Sequence, residues 1–134
     1  MNKLTGVIKA IDTDGNLSLV DIDVGADLTM AALIVETPQR CPWLKKGHQV
    51  EVLFKETEVS IARNLSGQIS LRNRFVATIT GLRLGGMLAE VTLDTAGQQV
   101  VSIITSRSAR RMELKTGDQV EWLVKANEVS LTGN

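Results

Sequence analysis

Apolar and polar residues alternate along most of this chain. Leu4 and Ile8, Leu17 and Leu19, and the β-branched runs Val20, Ile22, Val24 and Val100, Val101, Ile103, Ile104 recur mostly at period two. Side chains of a strand point to opposite faces in turn, so this period predicts strands buried on one side. Gly, Asp and Asn punctuate the runs, in Asp12-Thr13-Asp14-Gly15-Asn16, Gly25-Ala26-Asp27, Gly85-Gly86 and Ala96-Gly97. Those are the residues that tight turns between antiparallel strands require. Helical character is confined to two short stretches, from Pro38 to Leu44 and from Ser106 to Leu114.

The pattern occurs twice. Setting Asn2-Lys3-Leu4 against Asn73-Arg74-Phe75 brings Gly15 over Gly86, Leu17 over Leu88, Val20 over Val91, Ile22 over Leu93 and Asp23 over Asp94, an offset of 71 residues. One residue then drops out, and Leu44-Lys45-Lys46-Gly47 lies over Leu114-Lys115-Thr116-Gly117, as Lys55-Glu56-Thr57-Glu58-Val59-Ser60-Ile61 does over Lys125-Ala126-Asn127-Glu128-Val129-Ser130-Leu131. About five strands and one short helix in some 65 residues is the content of a five-stranded Greek-key barrel of the oligonucleotide/oligosaccharide-binding (OB) type. The expected fold is all-β: two tandem OB-like barrels, each with one short helix, with repeats at residues 1–64 and 65–134. Barrels this small bury modest cores, so self-association is expected.

Composition narrows the function. Fifteen basic residues balance fifteen acidic ones, so no overall field calls for nucleic acid or an anionic membrane, although the second half leans basic. The lone Cys41 excludes an intramolecular disulfide and a thiolate metal cluster, and suits a reducing compartment. With neither a leader nor a membrane-length apolar run, the expectation is a cytoplasmic protein. No nucleophile–base pair, metal triad or phosphate loop appears, so the expectation is a binding protein and not an enzyme. The few aromatics, Trp43, Phe54, Phe75 and Trp122, make a poor stacking platform for single-stranded nucleic acid, a weaker alternative for a barrel of this type.

One stretch carries candidate chemistry. In Ile69-Ser70-Leu71-Arg72-Asn73, strand alternation would put the Ser70 hydroxyl and Arg72 guanidinium on one face, about 6 to 7 Å apart. Such a pair can grip a small tetrahedral oxyanion, and arginine adds a planar fork whose charge does not titrate away. Taken alone, S-x-R is commonly just the wet face of a strand. It gains weight from Lys125-Ala126-Asn127, a lysine at a strand end followed by small residues that leave amides open to an anion. Lone His48, in a turn, reads as solvent-exposed, Cys41 as buried packing, and the Ser106–Arg111 string as a solvated basic helix face. Asp12/Asp14 and Asp21/Asp23 lack calcium-loop spacing.

The run Ile69-Ser70-Leu71-Arg72-Asn73-Arg74-Phe75, followed by Leu88-Ala89-Glu90-Val91, Ser102-Ile103-Ile104-Thr105, Leu114-Lys115-Thr116-Gly117 and Lys125-Ala126-Asn127-Glu128-Val129, resembles the molybdate-binding Mop (TOBE) domain. There a segment of the type I-S-A-R-N-x-L-x-G opens the repeat and a K-A/S/T segment closes it. Residues 69–131 match nearly the whole pattern and residues 2–61 match it more loosely. Together they resemble the di-domain molbindins and the paired C-terminal domains of molybdate-responsive transcription regulators. The resemblance implies a molybdate or tungstate anion held between repeats by hydrogen-bond donors alone, with no metal ligands and no organic cofactor. By position, Ser70, Arg72, Asn73, Lys125 and Ala126 are its oxyanion-binding residues, and Lys55 marks a possible secondary site.

It further implies intracellular storage or homeostasis of the anion, with the sensing domain of a regulator or transporter ATPase as the alternative. A homo-oligomer is implied, a trimer by the molbindins and a dimer by the regulators. The absence of a helix-turn-helix or nucleotide loop favours the free-standing protein. Two departures bear on the site. Leu71 stands where the family has alanine, and the family's following glycine is replaced near Val76-Ala77. In the first repeat Met1 falls where Arg72 would be and Glu56 where Ala126 would be, so repeat one lacks the serine–arginine pair.

Overall fold

The computed structural model describes residues 1–133. The expected strands form. Alternating burial runs along β1 (Asn2–Asp14), β2 (Leu17–Asp23) and β4 (Gln49–Phe54), whereas β3 (Thr29–Ile34) buries Met30, Ala31 and Ala32 in succession, and a 3-10 turn at Glu56–Glu58 leads to the short β5 (Ser60–Ala62). The second copy repeats this as β6 (Asn73–Leu84), β7 (Leu88–Thr95), β8 (Gln98–Thr105), helix α1 (Ser106–Arg111), β9 (Gln119–Val124), a 3-10 turn at Ala126–Glu128 and β10 (Ser130–Thr132).

The strands make two five-stranded antiparallel sheets, in the orders β10-β4-β1-β2-β3 and β5-β9-β6-β7-β8. Each repeat's last strand therefore joins the other repeat's sheet. β5 pairs with β9 (Ser60↔Leu123, Ile61↔Trp122, Ala62↔Glu121), and β10 pairs with β4 in the same register (Ser130↔Leu53, Leu131↔Val52, Thr132↔Glu51). The two compact units are accordingly Met1–Phe54 with the chain from Lys125 onward, and the continuous stretch Lys55–Val124. These compact units are not the sequence repeats, because the last strand of each repeat is exchanged. The physical reason is that β5 (Ser60-Ile61-Ala62) and β10 (Ser130-Leu131-Thr132) share one strand pattern, which suits either exposed edge.

In the first unit Ile8, Val20, Ile22, Met30, Val50, Val52 and Phe54 are almost wholly buried. Gly6 lies against β2, where a Cβ would stand 2.4 Å from Ile22 Cγ2 and 2.8 Å from the Asp23 carbonyl. In the second unit the core contains Ile79, Val91, Leu93, Val100 and Trp122. Trp122 packs on Phe75 with ring centroids 4.8 Å apart, and its indole N–H donates to Thr95 Oγ1 at 2.7 Å. Ser102, also buried, donates to the Val59 carbonyl at 2.6 Å and so ties β8 to the entry of β5.

The units share fine detail. A bulge interrupts β1 against β2 between Ile8 and Ala10, and β6 against β7 between Ile79 and Gly81. At the same level a two-bond clip joins each long strand to the turn before β4 or β9. Ile8 exchanges bonds with His48 and Gly47, and Ile79 with Asp118 and Gly117.

Two local expectations are corrected. The α-helix expected over Ser106–Leu114 forms at Ser106–Arg111, capped by Thr105 Oγ1 accepting from the Ser108 amide, but Pro38–Leu44 is a chain of turns. There the Arg40 and Cys41 amides both bond the Thr37 carbonyl. Pro42 has no N–H to continue a helix and disfavours helical geometry at Cys41. His48 is half-buried, its Nε2 2.9 Å from the Gly133 carbonyl, with Trp43 beside both residues. Cys41 is buried, as expected.

Candidate oxyanion-binding site

The stretch Ile69–Asn73, expected as strand, is largely a loop. β6 begins only at Asn73, and Ser70, Leu71 and Arg72 lie in irregular, bent chain. Ile69 and Leu71 alternate like strand residues but have no ladder partner, and Ile69 is exposed. The loop after β5 turns through left-handed backbone at Asn64 and Gly67, at φ of 57° and 83°. Its Gly67, Gln68, Ile69, Ser70, Leu71 and Arg72 line, with Arg74, an open concavity of about 620 Å³. Ser70 and Arg72 are exposed on this loop, while Asn73 is fully buried at the head of β6. The structure thus gathers Ser70 and Arg72 on one exposed loop, by a different backbone from the one expected.

Asn73 fixes where that loop ends. Across the β6–β9 ladder its register partner is Val124, the last residue of β9. The next residue along the chain is Lys125, exposed and extended at φ −68° and ψ 144°, which leads into the Ala126–Glu128 turn. That turn closes with Glu128 N–H on the Lys125 carbonyl, so the amides of Ala126 and Asn127 have no acceptor within it. Lys125 and Ala126 belong to the compact unit other than that of Ser70, Arg72 and Asn73.

Repeat one has the same frame with other contents. Asn2 is buried and faces Phe54 as Asn73 faces Val124. Lys55 then leads into the Glu56–Glu58 turn at φ −76° and ψ 144°. Met1 occupies the arginine position and is exposed.

Sequence reasoning passed over Arg74 and Glu121. Arg74 Nε donates to Glu121 Oε2 at 2.6 Å and Nη2 to Oε1 at 3.0 Å, and Nη2 also donates to the Leu65 carbonyl at 2.9 Å. Glu121 stands opposite Val76, diagonally from Arg74, so the pair could have been read from the charges once β6 was set against β9. The carboxylate holds the Arg74 guanidinium above its ordinary pKa. Among the described residues no group of three or more His, Cys, Asp or Glu side chains is placed to hold a metal ion, and no helix is long and apolar enough to cross a membrane.

A profile of the TOBE domain matches residues 1–61 and 69–131, and the chain belongs to that family. It is 34% identical over 127 residues to the molybdenum import ATP-binding protein ModC of Brucella abortus (strain 2308), covering 94% of this chain and 33% of that protein. It is 38% identical over 73 residues to the molybdenum transport protein ModE of Azotobacter vinelandii, covering 54% of this chain and 27% of that one. The chain therefore spans about a third or less of the length of these curated relatives. The crystal structure of the cytoplasmic molybdate-binding protein ModG with molybdate bound superposes with a TM-score of 0.92 at 26% identity, covering 99% of this chain and 96% of that one. Family and fold are those of binding proteins.

Proposed function

We propose that this chain is a cytoplasmic molybdate- or tungstate-binding protein for storage and homeostasis of the anion. In this reading Ser70, Arg72, Asn73, Lys125 and Ala126 supply the hydrogen bonds, and the protein is not an enzyme. The observation that supports the residue assignment is the exposed loop that carries Ser70 and Arg72 along one open concavity and ends at buried Asn73. The ModG likeness over nearly the full length of both chains supports the free-standing role. Donors without carboxylates suit an anion that is deprotonated at neutral pH. Lys55 is a secondary contact at most, because Met1 replaces the arginine.

A second reading, the anion-sensing module of a regulator or transporter ATPase, is favoured by the ModC and ModE matches, in which this sequence pattern is one part of a longer protein. Single-stranded nucleic acid is disfavoured as a partner, because Phe54, Phe75 and Trp122 are buried in cores and the half-buried Trp43 alone is a poor stacking platform. Self-association, as a trimer in preference to a dimer, is part of the proposal. Outward apolar side chains such as Val35 in the first unit and Met87 in the second, 72% and 83% exposed, support it.

The test is calorimetric titration of the folded protein with molybdate and tungstate, with sulfate and phosphate as controls and mass measured by light scattering. Micromolar or tighter binding of molybdate or tungstate is the expected result. Absence of heat with both anions overturns the reading.

A further inference from the structure

Arg74 sits one residue into β6, half-buried between the core residues Asn73 and Phe75. Two of its donors are taken by the two oxygens of Glu121, and Nη2 makes a further bond to the Leu65 carbonyl. This forked pairing fixes the plane of the guanidinium, and with it the direction in which Nη2 is offered. The loop that carries Ser70 and Arg72 is thereby held at both ends, by Arg74 at Leu65 and by the β6 ladder at Asn73. Pinning the ends of a flexible segment removes most of the conformations that would scatter its side chains. Because Glu121 compensates the charge of Arg74, the contribution is orientation and not attraction of the anion.

The first repeat provides an internal comparison. At the position of Arg74 it has Lys3, which meets Glu51 by a single 3.5 Å contact with both side chains well exposed. A lysine has no fork to lend a third group. The forked pairing occurs in the repeat that carries Ser70 and Arg72.

Resting on the oxyanion reading above, we infer that Arg74 is a positioning residue, which through Glu121 and the Leu65 carbonyl holds residues 65–72 in the shape that presents Ser70 and Arg72 to the anion. The test compares wild type with Arg74→Lys, Arg74→Ala and Glu121→Gln. Each is titrated with molybdate, scored for amide exchange at residues 66–72, and checked for its thermal midpoint. A loop that is competent about a tenth of the time weakens binding about tenfold. Arg74→Lys keeps the charge but loses the fork. It is expected to bind about tenfold more weakly, with faster exchange confined to the loop and a midpoint near that of wild type, and Glu121→Gln is expected to follow it. If Arg74→Ala fails to fold, the lysine and glutamine variants decide the matter. Wild-type affinity in Arg74→Lys overturns the inference, as does a weakening that leaves loop exchange unchanged. Failure of wild type itself to bind overturns the oxyanion reading instead, so the two are distinguished in one experiment.

Discussion

Arg63 and Asp118 form a 2.5 Å ion pair that fastens the chain just beyond β5 to the turn before β9, and Arg63 Nη1 also donates to the Met112 carbonyl at 2.6 Å. His48 and the Gly133 carbonyl make the corresponding link just beyond β10. Both short exchanged strands are thus tied down at their far ends. Arg63→Ala is expected to cost the 55–124 unit about 1 to 2 kcal/mol. It should also speed amide exchange at Ser60, Ile61 and Ala62 before the rest of that unit, as measured by exchange and by urea unfolding.

Arg72 is exposed on its loop, so its removal should leave folding intact and weaken molybdate binding by about tenfold to a hundredfold, the worth of a charge-assisted hydrogen bond or two. Lys125→Ala should weaken it by a similar factor, and Lys55→Ala by much less. Calorimetry with thermal melts as the folding control measures all three.

Gly6 and Ala77 are equivalent positions of β1 and β6 with opposite requirements. A methyl group at Gly6 would overlap Ile22 and the Asp23 carbonyl, whereas the Ala77 methyl is buried without conflict in its own unit. Gly6→Ala is expected to destabilise the first unit by about 1 to 3 kcal/mol. Ala77→Gly should destabilise the second by about 1 kcal/mol through lost packing and added chain freedom. Denaturant titration followed by exchange in each sheet separates the two effects.

Thr95→Val keeps the shape of the side chain but removes the acceptor of the buried Trp122 indole. Loss of this buried hydrogen bond is expected to cost about 1 to 3 kcal/mol. Fluorescence of Trp122, read in a background where Trp43 is replaced, should report the changed indole environment.

The duplication, the strands and most of the core were legible because alternation and turn residues are local signals, as in Val20, Ile22 and Val24. The exchange of β5 and β10 was not legible. Val59-Ser60-Ile61 and Val129-Ser130-Leu131 carry the same pattern, and a pattern that says "strand" does not say which edge it covers. Residues 69–73 misled for a related reason: Ile69 and Leu71 alternate like a strand, but no neighbouring strand is available to pair with them. At 38–44 the expected helix is one that Pro42 forbids. The candidates Ser70, Arg72 and Asn73 come from the S-x-R-N motif, and Lys125 and Ala126 from the closing K-A segment. The Arg74–Glu121–Leu65 link was not, because it depends on the diagonal alignment of two strands about 45 residues apart in sequence.

The crossed strands also change what a break in the chain would do. A protease cut in the exposed loop near Gly67 divides the sequence between its two repeats, yet each fragment still contributes a strand, β5 or β10, to the sheet of the other. The nicked protein should therefore migrate as two pieces under denaturing conditions and as one species under native ones. Covalent linkage then serves chiefly to keep the two partners at high local concentration, while hydrogen bonding across the exchanged edges keeps them together.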